Sequence, residues 1–487
     1  MKITHPSTEL AQSLLLNSNE IIEGLLIDPK STIKLLKSEY LFGLDDELWD
    51  DFIFTNVIAP GLHRVSEIKD LEHCTSVYST IDELLFLPYI RRNEEPIRFR
   101  RCFWLVNSIG LKIAKRIQSS EATIKTKDVA VNANRNHLVF ILKGPYKLAH
   151  TEFLTAYFLG TEEMENIQCI LILIDDTGTS IPRVLKKLKK LTIISLATQK
   201  LTVLQKIYAV HTIVKQTNAL NTIWVACVQN ISLYLGSGIP SKRLTYWSMK
   251  YHSIIMPQLT HYAGLGFGGK PFNYDGVDWY RGRAFPYLEE PVSYSTKREK
   301  YRKKYNIREK DILGGCFVRA EKILDISFWE VVRTLLREHK NLQFVLASQY
   351  LPPNAQVVTQ DEMINKRFKY AGWVDTKALS CALDIYLDSF PRGSCNTIFE
   401  SCLANVPFII YNSPHNRESS ALPYFSAQQK DFPGIVNSKS EYVKLSSSMI
   451  KSSELRYKIA SKQNKLMSMM QGLHSQFSKD YSEYFLK

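Results

Sequence analysis

A chain of 487 residues is too long for one ordinary hydrophobic core, so we expect two domains and an accessory segment. Hydrophobic residues make up 45% and charged residues 23% of the sequence, which excludes a largely disordered chain. The net charge of +14 raises nucleic acid, anionic membranes and phosphate-bearing ligands as partners. No nucleic-acid recognition motif is present, so we expect no nucleic-acid partner.

The cysteines and the apolar runs bear on the compartment. The eight cysteines form no close CxxC pair and no zinc-binding spacing, which is typical of a reducing compartment. The N-terminus lacks the apolar run of a signal peptide, and no segment approaches the roughly 18 uninterrupted apolar residues that span a bilayer. We therefore expect a cytoplasmic protein, with peripheral membrane contact left open.

The first 130 residues are predicted to be mainly helical. Leu10, Leu14 and Leu15 begin a run of apolar residues at helical spacing, and Phe103–Ile117 repeats the pattern. No internal repeat of about 20–50 residues is present, which argues against a solenoid. We expect residues 1–130 to form a helical N-terminal accessory domain.

At Asn136 the pattern changes to short apolar runs of the buried-strand type, separated by helical segments. Strands that alternate with helices predict a parallel, doubly wound sheet, which we assign to residues 131–295. The segment Gly236–Pro291 is rich in Gly, Tyr and Pro and is expected to form loops. The predicted strands are His137–Leu142, Ile167–Ile174, Leu191–Ser195 and Thr222–Val228.

A second alternating series follows a strongly charged segment, whose run Lys297–Lys304 we interpret as a solvated helix face. The series predicts a second Rossmann-like domain over residues 296–440, followed by a polar helical tail over 441–487 that can cross back over the first domain. Two such domains place the carboxyl ends of their strands around one cleft, where ligands bind. The predicted strands are Ile312–Val318, Leu342–Ala347, Arg367–Tyr370, Ile385–Leu387 and Val406–Tyr411, with helices over Phe328–Glu338, Lys377–Ala382 and Thr397–Ala404.

Two cations, Arg319 and Lys322, follow the first strand of the second domain. A departing diphosphate needs positive charge where its own negative charge develops, and Arg and Lys supply that charge. The alternative for this segment alone is an ordinary pair of surface cations after a strand.

The segment Asp384–Glu400 predicts a nucleotide site. A strand leads into a turn that contains Gly393, and Ser394 or Asn396 can cap the helix that follows. Free backbone amides at the start of such a helix form an anion site. Glu400 lies one turn inside the helix, on a side from which its carboxylate can bind two ribose hydroxyls. The alternative is a plain strand-to-helix turn with a surface glutamate.

Three stretches carry a resemblance to a known family. Phe317–Ile323, followed by Phe328-Trp329, resembles O-linked N-acetylglucosamine transferases, of which the bacterial adhesin N-glucosyltransferases form the cytoplasmic branch. Phe390–Pro407 resembles the family's proline and glycine turn, helix start and acidic residue. Arg243–His252, followed by Thr260-His261, is similar to the end of the first domain in the bacterial branch. The resemblance implies an α/β protein of the GT-B fold: two Rossmann-like domains facing a cleft, here with a helical N-terminal extension.

The resemblance also implies residue roles. Lys322 would contact the donor diphosphate with Arg319 near it, Asn396 and Thr397 would hold phosphates, and Glu400 would replace the family's usual Asp on the ribose. The helix start departs from the family's common His-Thr-Thr, and no tetratricopeptide array precedes the catalytic part. We assign the nucleotide-sugar site to Arg319, Lys322, Trp373, Val374, Arg392, Gly393, Ser394, Asn396, Thr397 and Glu400.

Three further positions bear on the chemistry. The related enzymes carry a His near His150 that faces the acceptor, so we assign His150 and Lys322 as catalytic; the alternative for His150 is a half-buried structural side chain. Asp175-Asp176 resembles the paired acids that hold a metal in other transferases, but GT-B enzymes generally need none, so we expect no metal or other cofactor. Arg392 stands where a retaining GT-B class has its first Glu, which favours the inverting family.

We therefore expect an inverting glycosyltransferase that moves a hexose from a UDP-sugar to a protein side chain, Asn or Ser/Thr, or a related acceptor. One alternative is a transferase that acts on a glycan or a lipid-linked acceptor. Another is a GT-B protein without turnover that binds a partner transferase.

Overall fold

The computed structural model describes residues 17–32, 56, 57, 59–91, 96–120, 135–146, 151–248, 254, 256–266, 272–274, 276–288, 294–414, 416, 421–426 and 432–487. The chain divides into two compact units. The first unit spans Met1–Arg283 and Ser475–Lys487, and the second spans Ala284–His474. The predicted tail 441–487 is therefore divided between the two units.

The first unit combines helices with one large sheet. In chain order its main elements are α1 (Ser18–Ile27), α2 (Ala59–Val65), α3 (Leu71–Arg91), α4 (Pro96–Gln118), β1 (Asn136–Leu142), α5 (Thr151–Thr161), β2 (Ile167–Leu173), β3 (Leu191–Ser195), α6 (Val203–Thr217), β4 (Asn221–Val225), α7 (Ile231–Gly236), β5 (Arg243–Ser248), β6 (His261–Gly266), β7 (Phe272–Tyr274) and β8 (Val277–Arg283). The eight strands have the order β3-β2-β1-β4-β5-β6-β8-β7, and β7 is antiparallel to β8 while the other pairs are parallel.

The doubly wound sheet predicted after Asn136 is confirmed, because β1 to β4 lie at the predicted positions. The expectation of loops over Gly236–Pro291 is wrong, because β5 to β8 lie there. Glycines in β6 and β8 weaken the strand pattern of the sequence, and Gly282 of β8 has a packing reason. A Cβ added to Gly282 would lie 2.7 Å from the ring of Tyr481, so only glycine leaves room for this tyrosine.

The helices that precede the sheet share its hydrophobic core, so they are part of the first unit. Tyr78 of α3 shows how they are joined. Its hydroxyl donates to the carbonyl oxygen of Val106 on α4 at 2.8 Å and lies 3.0 Å from the hydroxyl of Ser232 on α7. The described helices of the predicted accessory domain 1–130 and the sheet that follows them are thus packed around one core.

The second unit is a smaller α/β sheet. Its main elements are α8 (Tyr294–Lys304), β9 (Ile312–Phe317), α9 (Ile326–Glu338), β10 (Leu342–Ala347), α10 (Gln356–Thr359), β11 (Phe368–Tyr370), α11 (Thr376–Ser380), β12 (Ile385–Leu387), α12 (Asn396–Leu403), β13 (Phe408–Tyr411), α13 (Leu422–Ser426), β14 (Ile435–Val436), α14 (Lys439–Lys451) and α15 (Ser453–Gln471). The six strands are all parallel, in the order β11-β10-β9-β12-β13-β14. This confirms the second Rossmann-like sheet.

The charged run Lys297–Lys304 lies on α8, but its interpretation as a wholly solvated face is wrong for two arginines. Arg298 and Arg302 both form ion pairs with Asp384, with N–O distances of 2.6 and 2.9 Å. These guanidinium groups also donate hydrogen bonds to the backbone carbonyl oxygens of residues 381–383, 308 and 311. Arginine's planar fork suits such multiple donation, so α8 is anchored to the start of β12.

The last helix, α16 (His474–Leu486), packs on the first unit. Ser478 donates to the carbonyl of Tyr157 at 2.7 Å, and Tyr481 donates to the carbonyl of Gly282 at 3.1 Å. In the described part of the chain, no helix combines the length and apolarity that are needed to cross a membrane.

Candidate nucleotide site

The sheet of the second unit reverses its strand order between β9 and β12. From β9 the chain first proceeds to β10 and β11 on one side, and then continues with β12 to β14 on the other. Open α/β sheets bind ligands outside the carboxyl ends of the strands at such a reversal. Lys322 follows β9, and the segment from Asp388 to Asn396 follows β12. The topology therefore places the two predicted segments at one point.

A direct hydrogen bond joins these segments. Lys322 lies in a short 3-10 turn, Ala320–Ile323, and its Nζ donates to the carbonyl oxygen of Gly393 at 2.5 Å. The bond places a positive charge beside the start of α12. The first amides of a helix have no acceptor within the helix and carry the positive end of its dipole. A cation and a helix start therefore converge in the way that anion sites require.

A network of hydroxyl groups fixes the end of β9 against the start of α12. The buried Tyr386 donates to the carbonyl oxygen of Phe317 at 3.1 Å. The same hydroxyl lies 3.0 Å from Ser394 Oγ and 2.8 Å from Thr397 Oγ1. Thr397 also donates to the Phe317 carbonyl at 3.1 Å. Four residues from two strand ends and one helix start are thus held as one rigid group.

This network changes one predicted role. The prediction that Ser394 or Asn396 caps α12 is wrong, because the N-cap residue is Cys395 and no side chain caps the helix. The physical reason is that Tyr386 holds the Ser394 hydroxyl. The hydroxyls of Ser394 and Thr397 position the helix start against β9 and β12.

Side chains that are mainly buried also hold the turn between β12 and α12 in place. Burial raises the pKa of Asp388 to about 7, although the Ser394 amide and the nearby Lys322 act in the opposite direction. The hydrogen bonds that hold the turn are Ser394 N to Asp388 Oδ1 at 2.8 Å, Ser389 Oγ to the Arg392 carbonyl at 2.7 Å, and Gly393 N to Asn416 Oδ1.

Glu400 lies in the second turn of α12 and is only 9% exposed. The alternative interpretation of a surface glutamate is therefore wrong. Arg319, Arg392 and Asn396 are half-buried, on the same strand-end turns as Lys322 and Gly393. The structure thus groups these predicted site residues at one end of the β9–β12 pair.

Trp373 and Val374 lie further along the same edge of the sheet. They follow β11, which is separated from β9 by β10. The loop turns at Gly372, whose φ of +68° is in the left-handed region that favours glycine. Trp373 is 77% exposed, so its ring presents an open aromatic face at the carboxyl ends of the strands.

The first unit has a comparable reversal between β1 and β4, with different chemistry. Lys143 follows β1 and forms ion pairs with Glu83 at 2.6 Å and Asp175 at 2.9 Å, and Lys206 joins Asp175 at 2.7 Å. Asp176 accepts the backbone amides of residues 146 and 178, both at 2.6 Å. These two aspartates therefore hold protein groups. No set of three or more potential metal-ligating side chains occurs among the described residues. His150 lies outside them.

Three residues of the site were not predicted: Tyr386, Asp388 and Asn416. Asp388 directly follows a predicted strand, so its position at a strand end is visible in the sequence. Tyr386 lies in the middle of that strand, where an aromatic residue is usually interpreted only as part of the hydrophobic core. Asn416 is 23 residues from Gly393, and no local pattern connects the two.

No protein-family model matches this sequence, and no curated protein matches it. Three solved structures are similar in fold. A mutant of Thermobaculum terrenum O-GlcNAc transferase is 12% identical, with a TM-score of 0.53 over 99% of this chain and 98% of that one. A glycosyltransferase from Rickettsia africae is 13% identical, with a TM-score of 0.50 over 73% and 99%. A mutant of S. aureus TarM, in complex with alpha-GlcNAc-glycerol and UDP, is 7% identical, with a TM-score of 0.50 over 72% and 100%.

At these identities the similarity shows the fold. The chain has the GT-B fold, with two Rossmann-like domains. This confirms the predicted fold class, and the match to the T. terrenum protein extends over nearly the whole of both chains.

Proposed function

We propose that this protein is a glycosyltransferase that binds the nucleotide diphosphate of a UDP-sugar at the carboxyl ends of β9 and β12. The observation that carries the proposal is the bond from Lys322 to the Gly393 carbonyl, which holds a cation at the start of α12. A GT-B fold with this site has the parts that a nucleotide-sugar donor needs. Two of the three similar structures are described as transferases, which supports the reaction class.

In this proposal the acceptor attacks the anomeric carbon while UDP leaves, so negative charge grows on the diphosphate. Lys322, Arg319 and the α12 amides stabilise that charge more strongly in the transition state than in the ground state. Glu400 binds the ribose, and the exposed ring of Trp373 with Val374 contributes to the nucleotide side of the site. The TarM complex, which contains UDP, supports this choice of nucleotide.

We further propose inversion of the anomeric centre and a protein or glycan acceptor. The acceptor proposal rests on the resemblance to O-linked N-acetylglucosamine transferases and on the fold match to one of them. Arg392, where a retaining class has a glutamate, supports inversion. The anomeric configuration of the product, measured by NMR, tests this point: a product that retains the donor's configuration contradicts it.

The positive charge of this site comes from side chains and a helix start, so we propose that catalysis needs no metal ion. We expect EDTA to leave the rate of transfer unchanged within about twofold, because Lys322 and Arg319 supply the charge that a divalent ion supplies elsewhere. The measurement is UDP release with and without EDTA. A loss that added Mg²⁺ restores would contradict a metal-free site.

The experiment that tests the function is a screen of UDP-sugars and acceptors for release of UDP. We expect release from at least one UDP-sugar, and a large loss of release in Lys322→Ala. UDP binding without release from any donor would instead indicate a protein that binds nucleotide but does not turn over. Absence of both binding and release would overturn the proposed function.

A further inference from the structure

Asp388 is a buried carboxyl group next to the turn of the proposed diphosphate site, and nothing assigned so far explains its charge. It follows β12 directly and has no measurable exposure. Oδ1 accepts the amide of Ser394 at 2.8 Å. Oδ2 is buried and has no hydrogen-bond partner. A buried ionised oxygen without a partner is costly, so this carboxyl group is poised to take up a proton.

The groups around Asp388 come from four elements. Lys322, in the turn after β9, favours its ionised form. Cys316 on β9, Tyr386 on β12 and Tyr442 on α14 interact with it electrostatically, and burial raises the pKa of each of the three well above its ordinary value. These three groups are therefore neutral near pH 7. Lys322 is a charged group that lowers the pKa of Asp388, and it is the same group that the proposed function gives to the diphosphate.

We propose that Asp388 is a positioning residue of the nucleotide site: it sets the turn through the Ser394 amide and takes up a proton when a diphosphate binds beside Lys322. The inference rests on the proposed function. A diphosphate adds negative charge near Lys322, and like charge disfavours the ionised form of a carboxyl group. The proton passes from a buffer acid to the Asp388 carboxylate and leaves the buffer base in solution.

The sign of the pH dependence follows from this linkage. In the free protein burial raises the pKa of Asp388 to about 7, so the group is partly ionised near pH 7 and can take up a proton. Because the bound state holds more protons, UDP affinity falls as the pH rises above 7, by at most about tenfold per pH unit. The terminal phosphate of UDP, with a second pKa of about 6, is already ionised in that range and does not cause the fall.

Isothermal titration calorimetry of UDP binding, in HEPES and in Tris at equal pH, measures the protons taken up. For the wild type we expect net proton uptake on UDP binding at pH 7 and a larger uptake at pH 8. Asp388→Asn keeps an oxygen for the Ser394 amide and mimics the protonated acid. We expect the UDP affinity of this variant at pH 7 to lie within about threefold of the wild-type affinity. We also expect the variant to lose the proton uptake and to keep a constant UDP affinity from pH 7.5 to 9.

Asp82→Asn is the matched control. Asp82 is a second buried carboxyl group whose pKa is raised to about 7 by burial, and it lies on α3 of the first unit, where its carboxylate accepts the Asn230 amide at 2.5 Å. We expect the control to take up the same number of protons on UDP binding as the wild type. Asp388→Ala, which also removes the acceptor of the Ser394 amide, should bind UDP more weakly at every pH.

The outcomes separate the two proposals. UDP binding with equal proton uptake in the wild type and Asp388→Asn overturns the role of Asp388 and leaves the nucleotide site standing. A wild type that does not bind UDP overturns both. If Asp388→Asn does not fold, the wild type decides alone, because a UDP affinity that is flat from pH 7.5 to 9 contradicts the inference.

Discussion

Each of the two units has a lysine at the carboxyl end of its central strand, and the two lysines have different partners. Lys143 of the first unit is 6% exposed and lies between the carboxylates of Glu83 and Asp175. Burial alone would lower the pKa of Lys143, but these two carboxylates raise it above its usual value. Lys322 of the second unit is half-buried and donates to the carbonyl oxygen of Gly393, which is a neutral group.

The difference shows that the fold sets where a ligand can bind, while the side chains at that place set the charge available to the ligand. Both lysines lie at a reversal of strand order, the position at which open α/β sheets bind ligands. In the first unit the positive charge is balanced by two carboxylates within 3 Å, so little of it remains for an anion. In the second unit the lysine lies near the buried carboxyl group of Asp388, whose pKa is raised to about 7 by burial, and it stands with helix amides and Arg319. We therefore place the proposed anion site in the second unit.

The largest expected effect comes from Lys322→Ala. The variant loses the cation that stabilises the leaving diphosphate, and such a loss typically costs about 10²–10³ in rate. We expect UDP release to fall by that factor, UDP binding to weaken, and the melting temperature to change little, since a half-buried turn lysine contributes little to the core. Near-normal transfer from a confirmed donor would show that the anion site lies elsewhere.

Lys143→Met is expected to show the reverse pattern, with lower stability and nearly unchanged UDP binding. It leaves Glu83 and Asp175 without their shared cation, but their side chains are 48% and 38% exposed, so water screens part of the loss. We expect a destabilisation of about 1–3 kcal/mol, below the cost of breaking a fully buried pair. Thermal unfolding measures the change, and calorimetry should show UDP affinity within about twofold of the wild type. A large loss of UDP affinity with unchanged stability would contradict the comparison.

Glu400→Gln is expected to have a smaller effect, confined to nucleotide affinity. Ribose contacts change little during the reaction, and a hydrogen bond to a charged group contributes about 1.5–3 kcal/mol. We expect UDP to bind roughly tenfold more weakly, while the rate at saturating donor falls by less than about threefold. Deoxy-UDP gives the control, because the variant and the wild type should differ less for a nucleotide that lacks a ribose hydroxyl. An unchanged affinity for UDP would remove Glu400 from the ribose.

The sequence predicted the parts of the fold and site that depend on local pattern. The strand before Asp388 and the helix that contains Glu400 are short periodic segments with a turn between them, and the structure has both. The cation Lys322 was recognisable because it follows a buried strand. These features need only neighbouring residues to be seen.

Features that depend on distant residues were not predictable in this way. Glu83 meets Lys143 across 60 residues, so the ion pair that neutralises the first unit's lysine leaves no local signal. The Ser394 hydroxyl was expected to cap a helix, but Tyr386 holds it. The strand β8 contains Gly282, which weakens its strand pattern and makes room for a tyrosine from the end of the chain. In each case a tertiary contact overrides the local pattern.

The central claim is that the second unit binds a uridine diphosphate, and thermal unfolding with and without nucleotide tests it most directly. A ligand present at 100 times its Kd stabilises the native state by about 2.7 kcal/mol. We predict that UDP raises the melting temperature of the wild type by several degrees and that GDP does so much less. An equal rise with both nucleotides, or no rise with either, would contradict a UDP-sugar site.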